Sequence, residues 1–332
     1  MKASRYAVKN LRIRCGLLRA ALSLGVAALA LFWGAAAPPA ALAQDTAVGY
    51  AVVTVTSKSK NANPIVNVPV QNIKVELDRK PQEVVGGQPY RGKNSALQLV
   101  VLMDEASRTI VSLQLVELKR FLLSLPPNVQ VAVGYMMNGE PNLLQNLTTD
   151  HQAVANSLRL PMGINSINGS PYFCISALAK AWPGRNPGVR REVLMVTDGL
   201  DPYEPRTFDP NDPYVLAAIS DAQNAGIVIY SIYFRGVGGF SSRTWGVDVG
   251  QNYLTELSGA TGGMVYTEGL IDPVSFQPFL KDLLIKLQNQ YELKFVTTPR
   301  KGLQYFKVQS TLRNIKLDAP SDVPVILASP GQ

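Results

Sequence analysis

Near-continuous apolar runs alternate with regularly spaced apolar positions along most of this chain. Leu97–Met103 is such a run, the pattern of a strand buried on both faces. Behind it Val111, Leu115, Leu118, Leu122 and Leu125 fall on one face of a helix, which Pro126-Pro127 stops. Val129–Met137 predicts the next strand, Leu143–Leu147 a short edge strand and residues 150–159 a helix. A helix over 173–182, ended by Pro183-Gly184, leads to a buried strand at Glu192–Thr197. A helix over 213–225, a strand at Ile227–Phe234, a helix over 251–260, a strand at Met264–Thr267 and an amphipathic helix at Phe276–Asn289 follow. Strands separated by helical spacing predict right-handed crossovers and an α/β fold, a doubly wound, mostly parallel sheet flanked by helices.

The two ends are patterned differently. Residues 44–95 form a small β-rich lead-in, with alternating apolar positions at Tyr50–Thr56 and Val66–Leu77. There Asp78-Arg79-Lys80-Pro81 reads as a tight turn and Gly86-Gly87 as a break. Residues 291–332 add C-terminal strands at Leu293–Thr297 and Phe306–Thr311 and a proline-rich tail from Asp318. The expected division is a leader at 1–43, the lead-in at 44–95, an α/β domain at 96–290 and closing strands and tail at 291–332. A lead-in of about 45 residues is close to the smallest self-sufficient core, so it is expected to pack on the α/β domain.

Charge changes the picture only at the N-terminus. The 332 residues carry 32 Lys and Arg against 24 Asp and Glu, a net charge of +8. Lys2, Arg5, Lys9, Arg12, Arg14 and Arg19 all precede residue 44, a stretch with no acidic residue. The remaining chain is nearly balanced and has no electrostatic reason to bind nucleic acid. The basic segment, apolar Ala20–Ala37, Pro38-Pro39 and Ala41-Leu42-Ala43 together read as an export signal cleaved before Gln44. The competing reading is an uncleaved anchor, because the apolar run is nearly long enough to span a bilayer. The expected location is extracytoplasmic, periplasmic or secreted, with no stable membrane insertion after cleavage.

Counting residues removes most catalytic chemistry. Beyond residue 43 the chain has one cysteine, Cys174, and one histidine, His151. That leaves no internal disulfide and no His-rich zinc or iron site. A Ser-His-Asp triad would need His151, which reads as an exposed first-turn residue behind the N-cap Asp150. No G-x-S-x-G elbow, P-loop or strand-borne G-x-G-x-x-G is present. The expectation is a protein that is not an enzyme, with a hydrolase as the remote alternative.

Open α/β sheets bind ligands beyond the carboxyl ends of their strands, near the switch in strand order. Leu97–Met103 is followed by Asp104-Glu105-Ala106-Ser107-Arg108, and Glu192–Thr197 by Asp198-Gly199-Leu200-Asp201. Asn168-Gly169-Ser170 lies between them, just before a helix. With Val193–Thr197 running into Asp198-Gly199, this order resembles the von Willebrand factor A (VWA) domain, its leading aspartate and its T-D-G turn. Leu254–Leu257 followed by Thr261-Gly262-Gly263 resembles that family's late helix-to-strand step. Val70–Val84 and Asn289-Gln290-Tyr291 resemble the lead-in and closing step of an exported bacterial subfamily known from Acidobacteria. The resemblance implies a VWA/Rossmann-like fold and a binding or adhesion role.

It also implies a site, from which this chain departs. The family's metal ion-dependent adhesion site joins D-x-S-x-S to a threonine and an aspartate from two other loops, an oxygen set suited to octahedral Mg²⁺. The resemblance places Asp104 and Asp198 at the aspartates and Ser170 at the threonine, but Ala106 and Arg108 stand where two hydroxyls belong. Ser107 and Thr109 are one residue out of phase. The expectation is no cofactor, with Mg²⁺ on Asp104, Ser170 and Asp198 as the alternative. Two carboxylates at a dry rim repel unless something positive lies between them. Arg108 is expected to supply that charge by pairing with Asp104, Asp198 or Glu105, the competing reading being a solvated side chain. The loop Arg235–Gln251 brings Arg243 and Trp245 to the same rim, as partner anchors or, for Trp245, as a cover. Asp198–Asp212 reads as a solvated acidic loop. The expected function is an exported, metal-independent interaction module with a degenerate adhesion site. Its partner, an unidentified protein in the cell envelope or outside the cell, would meet Asp104, Glu105, Arg108, Ser170, Asp198, Asp201, Arg243 and Trp245. An Mg²⁺-dependent adhesion module is the alternative.

Overall fold

The computed structural model describes residues 47–59, 64–164, 169–186, 188–201 and 207–325, so the expected leader lies outside the described residues. In chain order the elements are β1 (Ala47–Ser57), β2 (Ile73–Leu77), β3 (Lys80–Gln82), β4 (Val84–Pro89), β5 (Leu97–Asp104), α1 (Ser112–Ser124), β6 (Val129–Met137), β7 (Glu140–Thr148), α2 (His151–Ser157) and α3 (Pro171–Lys180). Then come β8 (Arg190–Thr197), α4 (Pro213–Asn224), β9 (Ile227–Tyr233), α5 (Thr244–Ala260), β10 (Val265–Tyr266), α6 (Gln277–Gln288), β11 (Gln290–Thr297), β12 (Leu303–Ser310), β13 (Ile315–Asp318) and β14 (Asp322–Pro324). Among the described residues no helix is long and apolar enough to cross a membrane.

The central sheet has the order β10-β9-β8-β5-β6-β7, parallel except for the antiparallel edge strand β7. This is the doubly wound α/β arrangement, and its strand order reverses between β5 and β8. Every residue of β5 is buried, because its two faces feed two different cores. Leu97, Leu99, Val101 and Met103 join the cluster under α1 and α6, while Val100 and Leu102 join the cluster under α3, α4 and α5. β8 divides in the same way, Leu194 and Val196 against Val193 and Met195. A period of two across a doubly covered sheet produces the uninterrupted apolar run seen in the sequence.

The strands before and after the α/β domain build one β unit together. β1 pairs with β11 over Ala47–Thr54 and with β13, and β4 pairs with β11, giving the sheet β13-β1-β11-β4. β2 pairs with β12 and β3, and β14 with β12, giving β14-β12-β2-β3. Both sheets contribute to a third apolar cluster, in which Phe295 of one stacks on Phe306 of the other at 5.5 Å. The strands β1–β4 and β11–β14, which lie in separate segments by sequence pattern, therefore form one structure. Val52, on the outward face of β1, packs against the α/β core.

Several boundaries differ from the pattern for identifiable reasons. Only Ile73–Leu77 of Val66–Leu77 is a strand, with Val68 buried in the third core without ladder pairing. Gly86-Gly87 is no break: both residues pair with β11, and a methyl group on Gly87 would stand 2.9 Å from Val70 Cγ2. Asp78 and Arg79 both take positive φ, 48° and 66°, closing the two-residue β2–β3 hairpin. Of the segment after Asp318, the described part is not a free tail, since β14 extends the second sheet. Asp150 caps α2 by accepting from the Ala153 amide at 3.0 Å, but His151 is half-buried, its Nε2 2.8 Å from the Val129 carbonyl oxygen.

Candidate functional site

Asp104 ends β5 and Asp198 directly follows β8, so the switch in strand order brings both carboxylates to one rim. Both are buried, at 6% and 8% exposure. Each oxygen accepts a donor from the chain itself. The Ala106 amide donates to Asp104 Oδ1 at 2.9 Å and Thr197 Oγ1 to Asp104 Oδ2 at 2.6 Å. The Leu200 amide donates to Asp198 Oδ1 at 3.0 Å, and Ser241 Oγ donates to Asp198 Oδ2. Burial, and then the Asp198 charge, pushes the Asp104 carboxyl up to about 7. Burial also raises Asp198, against the hydrogen bonds from Ser241 and Leu200.

Three loops are zipped around these groups. The Val237 amide donates to the Ala106 carbonyl at 2.8 Å, the Arg108 amide to Arg235 at 3.3 Å, and Ser107 bridges Gly236. Gly236 lets the loops close, because a methyl group there would stand 2.6 Å from Asp198 Oδ2 and displace it. Gly199 takes φ 68°, with its carbonyl held by Tyr172 Oη at 2.6 Å. α5 then presses its own backbone against this turn: a methyl group on Gly250 would stand 1.9 Å from the Asp198 carbonyl oxygen.

Arg108 does not lie between the aspartates. Its Nε donates to the Gly236 carbonyl at 3.1 Å, its Nη2 to Ser242 Oγ at 2.7 Å, and its Nη1 stands 3.8 Å from Asp272 Oδ2. The repulsion expected to require a guanidinium is relieved instead by four hydrogen-bond donors and by a raised carboxyl pKa. Arg108→Ala should therefore cost less than about 1 kcal/mol in chemical denaturation, as for a part-exposed pair. A loss of several kcal/mol would restore Arg108 as the counter-charge.

Glu105, expected at the partner surface, is 2% exposed and turned inward. Arg159 holds it with a two-pronged ion pair while stacking 4.0 Å over the Tyr135 ring, and the Met162 amide donates to Glu105 Oε2 at 2.8 Å. Arg159→Ala leaves that carboxylate buried without its partner and should cost about 2 kcal/mol, less than a fully buried pair because Arg159 is partly exposed. Urea unfolding measures it, and an unchanged midpoint would show that the pair contributes nothing.

Ser170 and Asp201 are both fully buried, and Ser170 Oγ donates to Asp201 Oδ2 at 3.3 Å. Arg243 is exposed. The segment 235–251 is only partly loop, since α5 starts at Thr244. Trp245 consequently lies in the first turn, half-buried on the second core and 5.4 Å from the Phe240 ring, as a cover rather than a free anchor. Part of Asp198–Asp212 and Asn168 fall outside the described residues. Sequence pattern missed Ser241, Asp272, Arg159 and Arg235, whose roles depend on contacts between distant loops. Asp272 is engaged by Arg235, which donates from its amide at 2.8 Å and from Nε at 3.1 Å.

The chain matches no family model and no curated protein. Among solved structures it is similar to an aerotolerance-related membrane protein from Bacteroides fragilis, at 14% identity over 58% of this chain and 98% of that one, with a TM-score of 0.40. It is also similar to the SpRpn10 VWA domain, at 12% identity over 56% and 94%, with a TM-score of 0.39. The pilus adhesin SpaC from Lactobacillus rhamnosus GG, in its open conformation, is similar at 8% identity over 76% of this chain and 47% of that chain, with a TM-score of 0.40.

Proposed function

We propose that this protein is an exported, non-enzymatic VWA-type interaction module, akin to the Acidobacteria-type subfamily, that meets a protein partner at the carboxyl-end rim without a divalent cation. One observation carries the reading: each oxygen of both rim aspartates already accepts a donor of its own chain, which leaves one lone pair apiece, and Ser170 Oγ turns its proton to Asp201. Octahedral Mg²⁺ needs nearly all of its ligands to be oxygens directed at one point. With alanine and arginine at the two hydroxyl positions, the residues present do not fit that ion. Export rests on the basic, apolar and small-x-small pattern of residues 1–43. The lack of an enzymatic role rests on His151 and Cys174, the first engaged with Val129 far from the rim and the second fully buried.

A second reading, an Mg²⁺-dependent module, is favoured by one atom. Ser107 Oγ is buried with no hydrogen-bond partner beside the aspartates. Affinity capture from envelope fractions compares the two. A partner held equally in EDTA and in Mg²⁺, and released by Phe240→Ser at the rim, supports the metal-free module. Capture only in Mg²⁺ supports the second reading, and capture indifferent to Phe240→Ser removes the rim from the binding face.

A further inference from the structure

Beside the buried aspartates lies an outward-facing region of different chemistry. Arg108 ties three loops together through Gly236, Ser242 and Asp272, so the loops that follow Arg108, Phe234 and Ile271 lie side by side. Gln114 Nε2 fixes the last of these to α1 by donating to the carbonyls of Pro273 and Val274, both at 2.9 Å. Large apolar side chains stand out from this face. Leu113 is 71% exposed, Val274 75% and Ile110 66%, with Ile271, Val237 and Phe240 also exposed. Apolar side chains clustered in this way mark binding surfaces.

Most carboxylates around them are already engaged, Glu268 Oε2 by the Val274 amide at 3.2 Å. Asp104 and Asp198 are buried, and Asp272 is taken by Arg235. Arg235 reaches Asp272 through its amide and Nε alone, leaving both Nη groups without a hydrogen-bond partner among the described residues. The Arg243 side chain is exposed on the same loop. Guanidinium forks match carboxylates in pairs of parallel hydrogen bonds. A basic partner would meet the like charge of Arg243 here, and an uncharged one would dehydrate that guanidinium without compensation.

We infer that this face takes an acidic segment of a protein partner, with carboxylates set among aliphatic or aromatic side chains. The carboxylates meet Arg235 and Arg243, and the apolar groups cover Ile110, Val237 and Phe240. The inference rests on the rim being a protein-binding face and adds the partner's chemistry. It needs no cation, because the arginines supply the charge.

The test selects random twelve-residue displayed peptides on the full chain and measures the best binder by fluorescence anisotropy. Two variants accompany it, Arg243→Gln and Ile110→Ser, both exposed positions whose unchanged melting temperatures exclude misfolding. The expected peptides carry Asp or Glu beside Leu, Ile or Phe. Their affinity falls about tenfold or more in each variant, and again between about 0.1 M and 0.5 M NaCl. Uncharged or basic peptides that still weaken with Ile110→Ser overturn the acidic chemistry while leaving the rim as the binding face. Peptides indifferent to both variants, or no enrichment at all, overturn the inference, and the capture experiment then decides separately whether the rim binds protein.

Discussion

Gly250→Ala is expected to destabilise the protein by about 3 kcal/mol, the upper end of overpacking costs. The added methyl group would stand 1.9 Å from the Asp198 carbonyl oxygen, and backbone on both sides leaves no flexible end to yield. α5 must then move away from the turn carrying Asp198, Gly199 and Leu200, so the variant should also lose partner binding at the rim. Gly259→Ala, in the same helix, meets nothing within 4 Å. It should stabilise by about 0.5–1 kcal/mol through helix propensity alone. Urea unfolding of the pair separates close approach from propensity. Equal effects of the same sign would show that α5 does not press on the site.

Stability should fall as pH rises from about 4.5 to about 7, opposite to the usual behaviour of paired carboxylates. Glu192 lies fully buried in β8, its Oε1 3.6 Å from Arg190 Nη1, where the central sheet meets the β unit. Arg190 is itself bound by Gln290 of β11 and by the Leu287 carbonyl, and Tyr90 lies 4.9 Å beneath it. Burial pushes the Glu192 carboxyl up to about 7 despite the arginine. The folded protein therefore binds a proton that the unfolded chain has already lost above about pH 4.3. That contribution is complete below the unfolded value and gone above the folded one, about 3 kcal/mol across the window. Asp104, raised in the same direction, adds to the slope. Glu192→Gln should match the native protein at pH 5, exceed it at pH 8 and flatten the curve between. Denaturation midpoints that rise from pH 5 to pH 8, with no effect of the variant, would contradict this.

How much was legible follows from which interactions are local. The run Leu97–Met103 and the step Val193–Asp198 identify strands buried on both faces, and with them the rim, because a doubly covered sheet writes its burial directly into consecutive residues. The pairing of 44–95 with 291–332 is invisible for the opposite reason: the partners are some 240 residues apart, and alternation alone does not say with which strand an edge will pair. Thr244–Gly250 reads as loop because Gly246 and Gly250 lower helix propensity. They stand where a side chain would strike the Phe240 and Asp198 backbone. The position of Arg108 is not legible, because sequence supplies its charge but not Asp272, Ser242 and Gly236, all more than 125 residues away.

The most direct measurement of the central claim is calorimetric unfolding of the full chain, stripped with EDTA and titrated with Mg²⁺ or Mn²⁺. If the rim carboxylates are satisfied by Ala106, Thr197, Leu200 and Ser241, the melting temperature stays where it is at every metal concentration. A saturable rise, approaching about 2.7 kcal/mol at one hundred times the dissociation constant and abolished by Asp198→Asn, would contradict it and establish a metal-dependent site.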